Sequence, residues 1–334
     1  MRFVWDTAQH PVTDQMAYWT DVVCQAFTPL VPERRSDHLA NSAQQTGLYG
    51  YVRSERLAAT NTAEIASCTQ ELSHGRREVK CAPSEEVFVN LQLEGTCLGE
   101  QDGAQCVVPA GGFAVFDTTR PYKLEFIESS EGHPWRVLSF RIPRDQLMPL
   151  VRLDAQITAR TVSGGSGVGA VAATMMQTLW KAHGSLDEVS RLALDHACSQ
   201  VVASSLGSGV IDSENPDRAA IDDALRTAVR HYILANISHG VVQAAAAARH
   251  VGVSVRKLHQ LFNGVGTSFG AEVRELRLTH AARDLVDSDR SSSIADIAAR
   301  WGFCDGSHLT RAFKQRYGCA PRDYRAQHIE QVAR

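Results

Sequence analysis

The sequence has no uninterrupted run of 18 apolar residues, so no membrane-spanning helix is expected. Its opening, MRFVWDTAQHPVTDQ, has neither a basic start nor an apolar core, which argues against a secretory leader. None of the eight cysteines, at 24, 68, 81, 97, 106, 198, 304 and 319, forms a Cys-x-x-Cys pair. Their irregular spacing suits reduced thiols in the cytoplasm rather than a disulfide frame. There is no Gly-x-Ser-x-Gly elbow, no phosphate-cradling glycine loop and no dinucleotide fingerprint. The glycine-rich run SGGSGVG, Ser163 to Gly169, lacks the Lys-Ser/Thr ending and follows no clear strand, so it reads as a loop entering a helix. Metal chemistry needs three or four ligands in reach, yet the N-terminal half contains no His-x-His pair. Cys97, Cys106 and His133 are the trio that could meet, but core or surface thiols are far commoner. No catalytic residue, metal or cofactor is assigned, and the chain is not read as an enzyme.

What is present is a duplication. The run VGVSVRKLHQLFNGVG places Gly252, Leu258, Phe262 and Gly266; the run WGFCDGSHLTRAFKQRYG repeats them as Gly302, Leu309, Phe313 and Gly318. The offset is about 50 residues, with one residue added in the turn and another before the closing glycine. Each copy reads as helix, glycine turn, helix. Ser293 is a plausible N-cap, and Ile294, Ile297, Ala298 and Trp301 fall at i, i+3, i+4 and i+7, one apolar stripe. Ser254 plays the same capping part before Leu258, Leu261 and Phe262. Gly318 ends the second unit and Pro321 opens a last helix. Two helices around a short turn are the helix-turn-helix arrangement, whose second helix enters the major groove. The joining helix, about Ser268 to Asp287, would be roughly 30 Å long. That is close to the roughly 34 Å between successive major grooves on one side of a duplex.

The outward faces suit this reading. Arg256, Lys257, His259 and Gln260 lie outward on the first second-helix; Ser307, His308, Thr310, Arg311 and Lys314 lie outward on the second. Arg forks onto guanine, Gln onto adenine, and Ser, Thr and His bond several base edges. Lys257, Lys314 and Arg316 are better placed for phosphate. The bland alternative is a helical bundle that binds protein.

RELRLTHAARDLV followed by IADIAARWGFCDGSHLTRAFKQRYGCAPRDYR resembles the C-terminal domain of the AraC/XylS family of bacterial transcription regulators. The resemblance covers roughly the last 110 residues. It implies a seven-helix domain with two helix-turn-helix units and base-reading roles for Arg256, His259, Gln260, Ser307, His308, Thr310 and Arg311. It also implies a promoter operator and RNA polymerase as partners. Asp305-Gly306 departs from the family, which often has Ser-Gln or Ser-Ser there. Gly306 has no side chain to read a base, and Asp305 repels phosphate unless it caps the helix.

Charge divides with the chain. Pro216 to Arg334 has 17 Lys+Arg against 12 Asp+Glu, net +5; residues 1–215 have 17 against 25, net −8; together they give the overall −3. A basic C-terminal half suits a polyanion partner. With 334 residues and 44% hydrophobic content, two domains are expected. The division expected is 1–206 for effector sensing and dimerisation, 207–217 as linker and 218–334 for DNA binding. The linker assignment rests on LGSGVIDSENPDR, polar and without an apolar period.

Residues 1 to about 160 read as a helix, Asp14 to Phe27, followed by strands. Val87 to Glu94 ends at Gly95; Thr96 to Glu100 and Gln105 to Val108 flank an Asp102-Gly103 hairpin signal. Phe113 to Asp117, Tyr122 to Phe126 and Trp135 to Ile142 follow. Many short strands suggest a jelly-roll barrel. GTCLGEQDG, VVPAGGFAVFDTTRPYKLEF and the Arg141 to Arg144 exit resemble the sensor domain of the same family, in the subgroup with an extended β-barrel. That implies a small effector, often aromatic or an organic acid. The fold class expected is therefore α+β: an N-terminal cupin-like jelly-roll barrel with flanking helices, then an all-α domain with two helix-turn-helix units.

Candidate effector residues are Asn90 and Gln92, which share one strand face; Tyr122 and Trp135, which can stack a ring; and Arg53, which can pair with a carboxylate. Which strand face is interior stays open at this stage. Two more helices are expected, about Val168 to Ala182 and Ser185 to Leu206, the second opened by the capping pattern Ser185-Leu186-Asp187-Glu188. Its stripe of Leu186, Val189, Ala193, His196, Ala197 and Val201 either packs on the barrel or, as the resemblance implies, makes a homodimer through residues 185–206. The alternatives are a ligand-independent regulator with a filled barrel, and a DNA-repair or cupin enzyme carrying a helix-turn-helix module.

Overall fold

A computed structural model describes residues 3–26, 31–33, 47–81, 85–129, 133–151, 157–207, 217–239, 241–287 and 292–332. The expected linker 207–217 falls almost wholly outside these residues. The chain divides into two compact units, Met1–Ala228 and Val229–Arg334. Each is treated by itself.

The first unit opens with β1 (Phe3–Asp6), α1 (Gln15–Ala26), β2 (Val31–Glu33), β3 (Gly50–Arg56), β4 (Asn61–Ser67), β5 (Gln70–His74) and α2 (Arg76–Cys81). It continues with β6 (Glu86–Glu94), β7 (Thr96–Gln101), β8 (Ala104–Val108), β9 (Phe113–Asp117), β10 (Tyr122–Ile127) and β11 (Trp135–Pro143). The helices α3 (Arg144–Leu147), α4 (Gly167–Ala182) and α5 (Glu188–Gly207) follow, and α6 (Asp217–Asn236) contains the division after Ala228. Two antiparallel sheets form, in the orders β1-β3-β4-β11-β6-β9 and β2-β5-β10-β7-β8. The hairpin between β7 and β8 turns on Asp102 and Gly103, at φ 52° and 79°. Positive φ at both central residues is what a two-residue hairpin demands, and Asp-Gly supplies it cheaply.

The larger sheet is apolar on both faces. Phe88, Val137 and Trp135 point between the sheets and join Phe116, Leu124, Phe126 and Tyr122 in one core. Val87, Val89, Leu91, Leu138, Phe140 and Ile142 point the other way and pack with Ala172, Met176, Leu179, Cys198 and Val202 of α4 and α5. Strand alternation therefore assigns the faces: Asn90 belongs to the inter-sheet side, and the Val89 face lies under helices. The loop before α4 packs backbone on backbone. A Cβ at Gly164 would lie 1.8 Å from the Gly111 carbonyl oxygen, which accounts for glycine there.

The start of α5 differs from the sequence expectation. Ser185 sits in a short 3₁₀ turn at the end of α4, where its hydroxyl donates to the Ala182 carbonyl at 2.7 Å. Asp187 makes the cap instead, accepting from the Ser190 amide at 2.7 Å. An ionised carboxylate is the stronger acceptor for a helix N-terminus. Deeper in α5, buried Asp195 accepts from the amides of Ala59 (2.8 Å) and Thr60 (3.0 Å), from Gln146 Nε2 (3.1 Å) and from the Thr60 hydroxyl. One carboxylate thus ties the β3–β4 turn and α3 to α5, which composition and periodicity do not reveal.

In the second unit α7 (Ala244–His250), α8 (Val255–Asn263), α9 (Phe269–Asp287), α10 (Ile294–Arg300), α11 (Gly306–Tyr317) and α12 (Pro321–Val332) carry the duplication. The two turns match in detail. Val253 N donates to Ala248 O at 2.9 Å, and Phe303 N donates to Ala298 O at 2.9 Å. Gly252 and Gly302 both sit at φ 69°. The second copy then takes one more residue before its helix starts. Leu258, Leu261 and Phe262 of α8 and Leu309 and Phe313 of α11 are buried, as their spacing predicts. Ser293 and Asp296 close a capping box, and the Ser293 hydroxyl and amide hold the Asp296 carboxyl below the usual carboxylate range.

Candidate nucleic-acid interface and sensor cavity

Ser254 caps α8 by accepting from Lys257 N at 3.2 Å. The helix buries Leu258, Leu261 and Phe262, so Arg256, His259 and Gln260 form the opposite stripe at i, i+3 and i+4, all exposed. Half-buried Lys257 lies at its edge. Asp305 caps α11, its Oδ1 accepting from His308 N at 2.6 Å. Its charge is thereby committed to the helix N-terminus, so the feared phosphate repulsion is offset. Ser307, Thr310 and Arg311 form the stripe that matches Arg256, His259 and Gln260 in the first copy, with Lys314 one turn on. His308 sits beside this stripe with its ring edge against Phe303, centroids 5.5 Å apart. The Thr310 hydroxyl donates to Gly306 O at 2.7 Å, so toward a base it is left as an acceptor.

The arginines of this unit divide by what they touch. Arg230 meets Glu272 at 2.5 Å and Arg300 meets Asp284 at 2.6 Å. Arg316, expected at phosphate, instead sets its Nε against both oxygens of Glu275, at 2.7 and 2.9 Å. Glu272, Glu275 and Asp284 of α9 are thus matched by cations of neighbouring helices. Among the described residues, the side chains of Arg256, His259, Gln260, Arg311 and Lys314 form no hydrogen bond or ion pair. The α9 rod between the two copies has 19 residues, about 28 Å.

The sensor unit holds an apolar cavity between its sheets, lined by Trp19 and Val23 of α1 and by Phe88, Phe126, Trp135 and Val137 among the strands. Its volume is small, about 30 Å³. Its polar wall is one pair, the Ser139 hydroxyl donating to Asn90 Oδ1 at 2.7 Å. Among the described residues no charged side chain lines it.

Of the five residues expected at an effector, Asn90 and Trp135 line this cavity. The Trp135 indole N–H is taken by Cys68 O at 2.6 Å. Tyr122 is buried in the same core but off the cavity, stacked on His74 at 5.0 Å. Gln92 donates to Glu94 O at 2.7 Å and does not line it. Arg53 is a correction: its neighbour Val52 faces inward, so Arg53 faces outward, over the Tyr51 ring at 4.7 Å. The sequence reading missed Phe88, Phe126 and Ser139, whose inward direction depends on the pairing of distant strands, and Trp19, which comes from α1. Burial pushes the Cys106 thiol up to about 12 and Cys97 well above its ordinary value. Among the described residues no three His, Cys, Asp or Glu side chains gather as a metal site, and no helix is long and apolar enough to cross a membrane.

The chain matches two sequence families. The Helix-turn-helix domain matches residues 247–327, and the AraC-binding-like domain matches residues 19–207, more than half of the chain. It is 29% identical over 248 residues to the transcriptional activator NphR of a Rhodococcus species, covering 73% of this chain and 71% of that one. It is 30% identical over 256 residues to the probable thc operon regulatory protein of Rhodococcus erythropolis, covering 71% and 74%. The crystal structure of the AraC-like transcriptional activator CuxR superposes with a TM-score of 0.53 at 16% identity, covering 85% of this chain and 96% of that one, a likeness of fold. A doubled helix-turn-helix unit behind an AraC-binding-like barrel places this chain in the AraC family of DNA-binding transcription regulators.

Proposed function

We propose that this regulator is an activator that responds to a compact, neutral, largely apolar effector bound in the barrel. Residues 1–206 sense the effector and dimerise, 207–217 link, and 218–334 bind the operator, in the cytoplasm where the DNA is. The observation that carries the DNA part is the duplicated stripe. Arg256, His259 and Gln260, with Lys257 at their edge, recur as Ser307, Thr310 and Arg311, with His308 and Lys314 beside them. Among the described residues the side chains of Arg256, His259, Gln260, Arg311 and Lys314 form no hydrogen bond or ion pair, which leaves them able to bond base edges or phosphates. The rod of about 28 Å between the copies suits neighbouring major grooves.

The cavity narrows the effector class. Aromatic walls fit a ring or compact hydrocarbon, and the Asn90–Ser139 pair fits one hydrogen-bonding substituent. A buried carboxylate would have no counter-charge, and an uncompensated ion is costly in such a site. The organic-acid reading is therefore set aside. Water-sized space is small, so a ring enters only as a wall yields. The wall outside both sheets is α1, with Trp19 and Val23.

β6 and β11 carry cavity residues on one face and, on the other, the apolar layer under α4 and α5. On the far side of α5, Val189 is 79% exposed and Leu192 53%, with Ala193 and His196 exposed beside them. This is the face proposed to pair two protomers through residues 185–206, so that effector binding and dimer geometry share one sheet. Bound beside a promoter, the dimer would engage RNA polymerase; the relative named as a transcriptional activator supports that sign. Genomic fragments selected by the purified protein, then titrated with and without neutral aromatic compounds, test this. Operator affinity, oligomeric state and transcription all indifferent to every compound would remove the sensing half.

A further inference from the structure

The second helix-turn-helix unit contains an open cleft of about 660 Å³ where α10, α11 and α12 converge. Its walls include Ser307, Thr310 and Arg311 of the reading stripe, and Arg322 of the last helix, which lies outside the duplicated pattern. Both arginines are exposed, and neither forms an ion pair or hydrogen bond among the described residues, not even with Asp323. Arg316 and Arg300 nearby are both held by acids. So two unspent guanidinium groups and a serine hydroxyl border one concavity beside the base-reading stripe.

Gly306 lies in the same cleft, at the point where the chain departs from its family. Neither backbone nor packing requires glycine there. It does not adopt positive φ. An added Cβ would meet its nearest atoms, Ala295 Cα and N and Ile294 Cγ2, at 3.8 Å, ordinary contact distance. Those two neighbours are themselves cleft residues. Glycine therefore keeps the cleft open where a side chain would enter it.

Resting on the DNA-binding reading, we propose that this cleft seats a backbone phosphate of the duplex, gripped by Arg322, with Gly306 leaving it room. A planar guanidinium suits a phosphodiester, because two N–H groups meet two oxygens. The second unit then makes up in backbone grip what it lacks in base contacts at Gly306.

The test uses the full chain, a duplex enriched from a random pool by the wild-type protein, and a scrambled duplex, each titrated over a range of KCl concentrations. Loss of one phosphate contact lowers the slope of log K against log salt by about 0.9, which is about eightfold in affinity at 0.1 M. Arg322→Gln should show that change, by the same factor on both duplexes, and Arg322→Lys should keep the slope. Gly306→Leu, which fills the cleft without offering a hydrogen bond, should weaken binding as Arg322→Gln does, and the double variant no further. Gly306→Ala with a native circular-dichroism melt shows that a Cβ there is tolerated. An unchanged slope for Arg322→Gln, with wild-type binding intact, would overturn the phosphate site. So would a loss confined to substitutions at one base pair, since that is base reading. A wild-type protein that prefers no duplex overturns the DNA-reading assignment itself.

Discussion

The two halves of this regulator place charge in opposite ways. In the helical half, acids of the joining helix are tied to neighbouring arginines, while Arg256 and Arg311 are left over on one stripe per copy. In the barrel, among the described residues, no charged group lines the cavity and the Asn90–Ser139 pair is the polar mark on an apolar wall. A polyanion is met by unspent cations at a wet surface, where salt competes. On the proposed reading, a small molecule in the barrel would be met by excluded water and one directional bond, where salt matters little. Variants that act on one half should therefore differ in salt response from variants that act on the other.

The largest effect is expected from the scaffold of the sensor. Asp195→Ala strips one acceptor from four buried or half-buried donors and should cost about 3 kcal/mol of stability. Urea unfolding followed by tryptophan fluorescence measures it; a loss under 1 kcal/mol would mean that the network is replaceable by water. Next, Arg311→Ala should lose about 1–3 kcal/mol of specific operator binding while non-specific binding changes little. Equal loss on both would make Arg311 a phosphate contact and blur the division drawn in the second unit. Gly302→Ala should cost about 1–3 kcal/mol, because φ 69° is strained for alanine and its Cβ would press on Arg277 Nη2 at 2.8 Å. Gly306→Ala, at ordinary φ and with open space, should melt within a degree or two of wild type.

Asn90→Leu should leave operator affinity without effector unchanged and weaken the effector response about tenfold, as expected for one buried hydrogen bond. A response that falls equally for effectors with and without a polar substituent would point to a packing role instead. The smallest perturbation is chemical. At pH 8 a thiol reagent should label exposed Cys304, but not Cys97, Cys106 or Cys198, whose burial holds them protonated, the last two at about 12. Fast labelling of Cys97 would show that the barrel opens.

Much of the helical half was legible because its determinants are local. Caps, turn glycines and inward residues recur at fixed offsets, and what faces away from Leu258 or Leu309 must face out. Arg316 escaped that reading, since its partner Glu275 lies 41 residues away on another helix. From β6 on the strands were also legible one by one, including β9 from Phe113 to Asp117 and the Asp102-Gly103 turn, whereas β1 to β5 were not read. Their facing was not. A strand buried on both sides offers no polar face to mark the outside, so Asn90 and Val89 looked equivalent until β11 and the helices fixed the layers. Arg53 was placed without the strand around it being recognised; β3 buries Val52 and turns Arg53 to its exposed side. Ser185 lost its capping role to an aspartate two residues on. Trp19 reaches the cavity from α1, where it bonds Gln70 Oε1 at 2.9 Å, and no strand pattern could bring it there.

The most direct test of the doubled reading unit is a base-by-base binding profile of one selected duplex, taken with wild type, Arg256→Ala and Arg311→Ala. The expected result is two separate clusters of lost specificity, one for each arginine, centred about 10 base pairs apart on the same face of the duplex. Both substitutions erasing preference at the same base pairs, or neither altering preference anywhere, would contradict two reading helices set in neighbouring grooves.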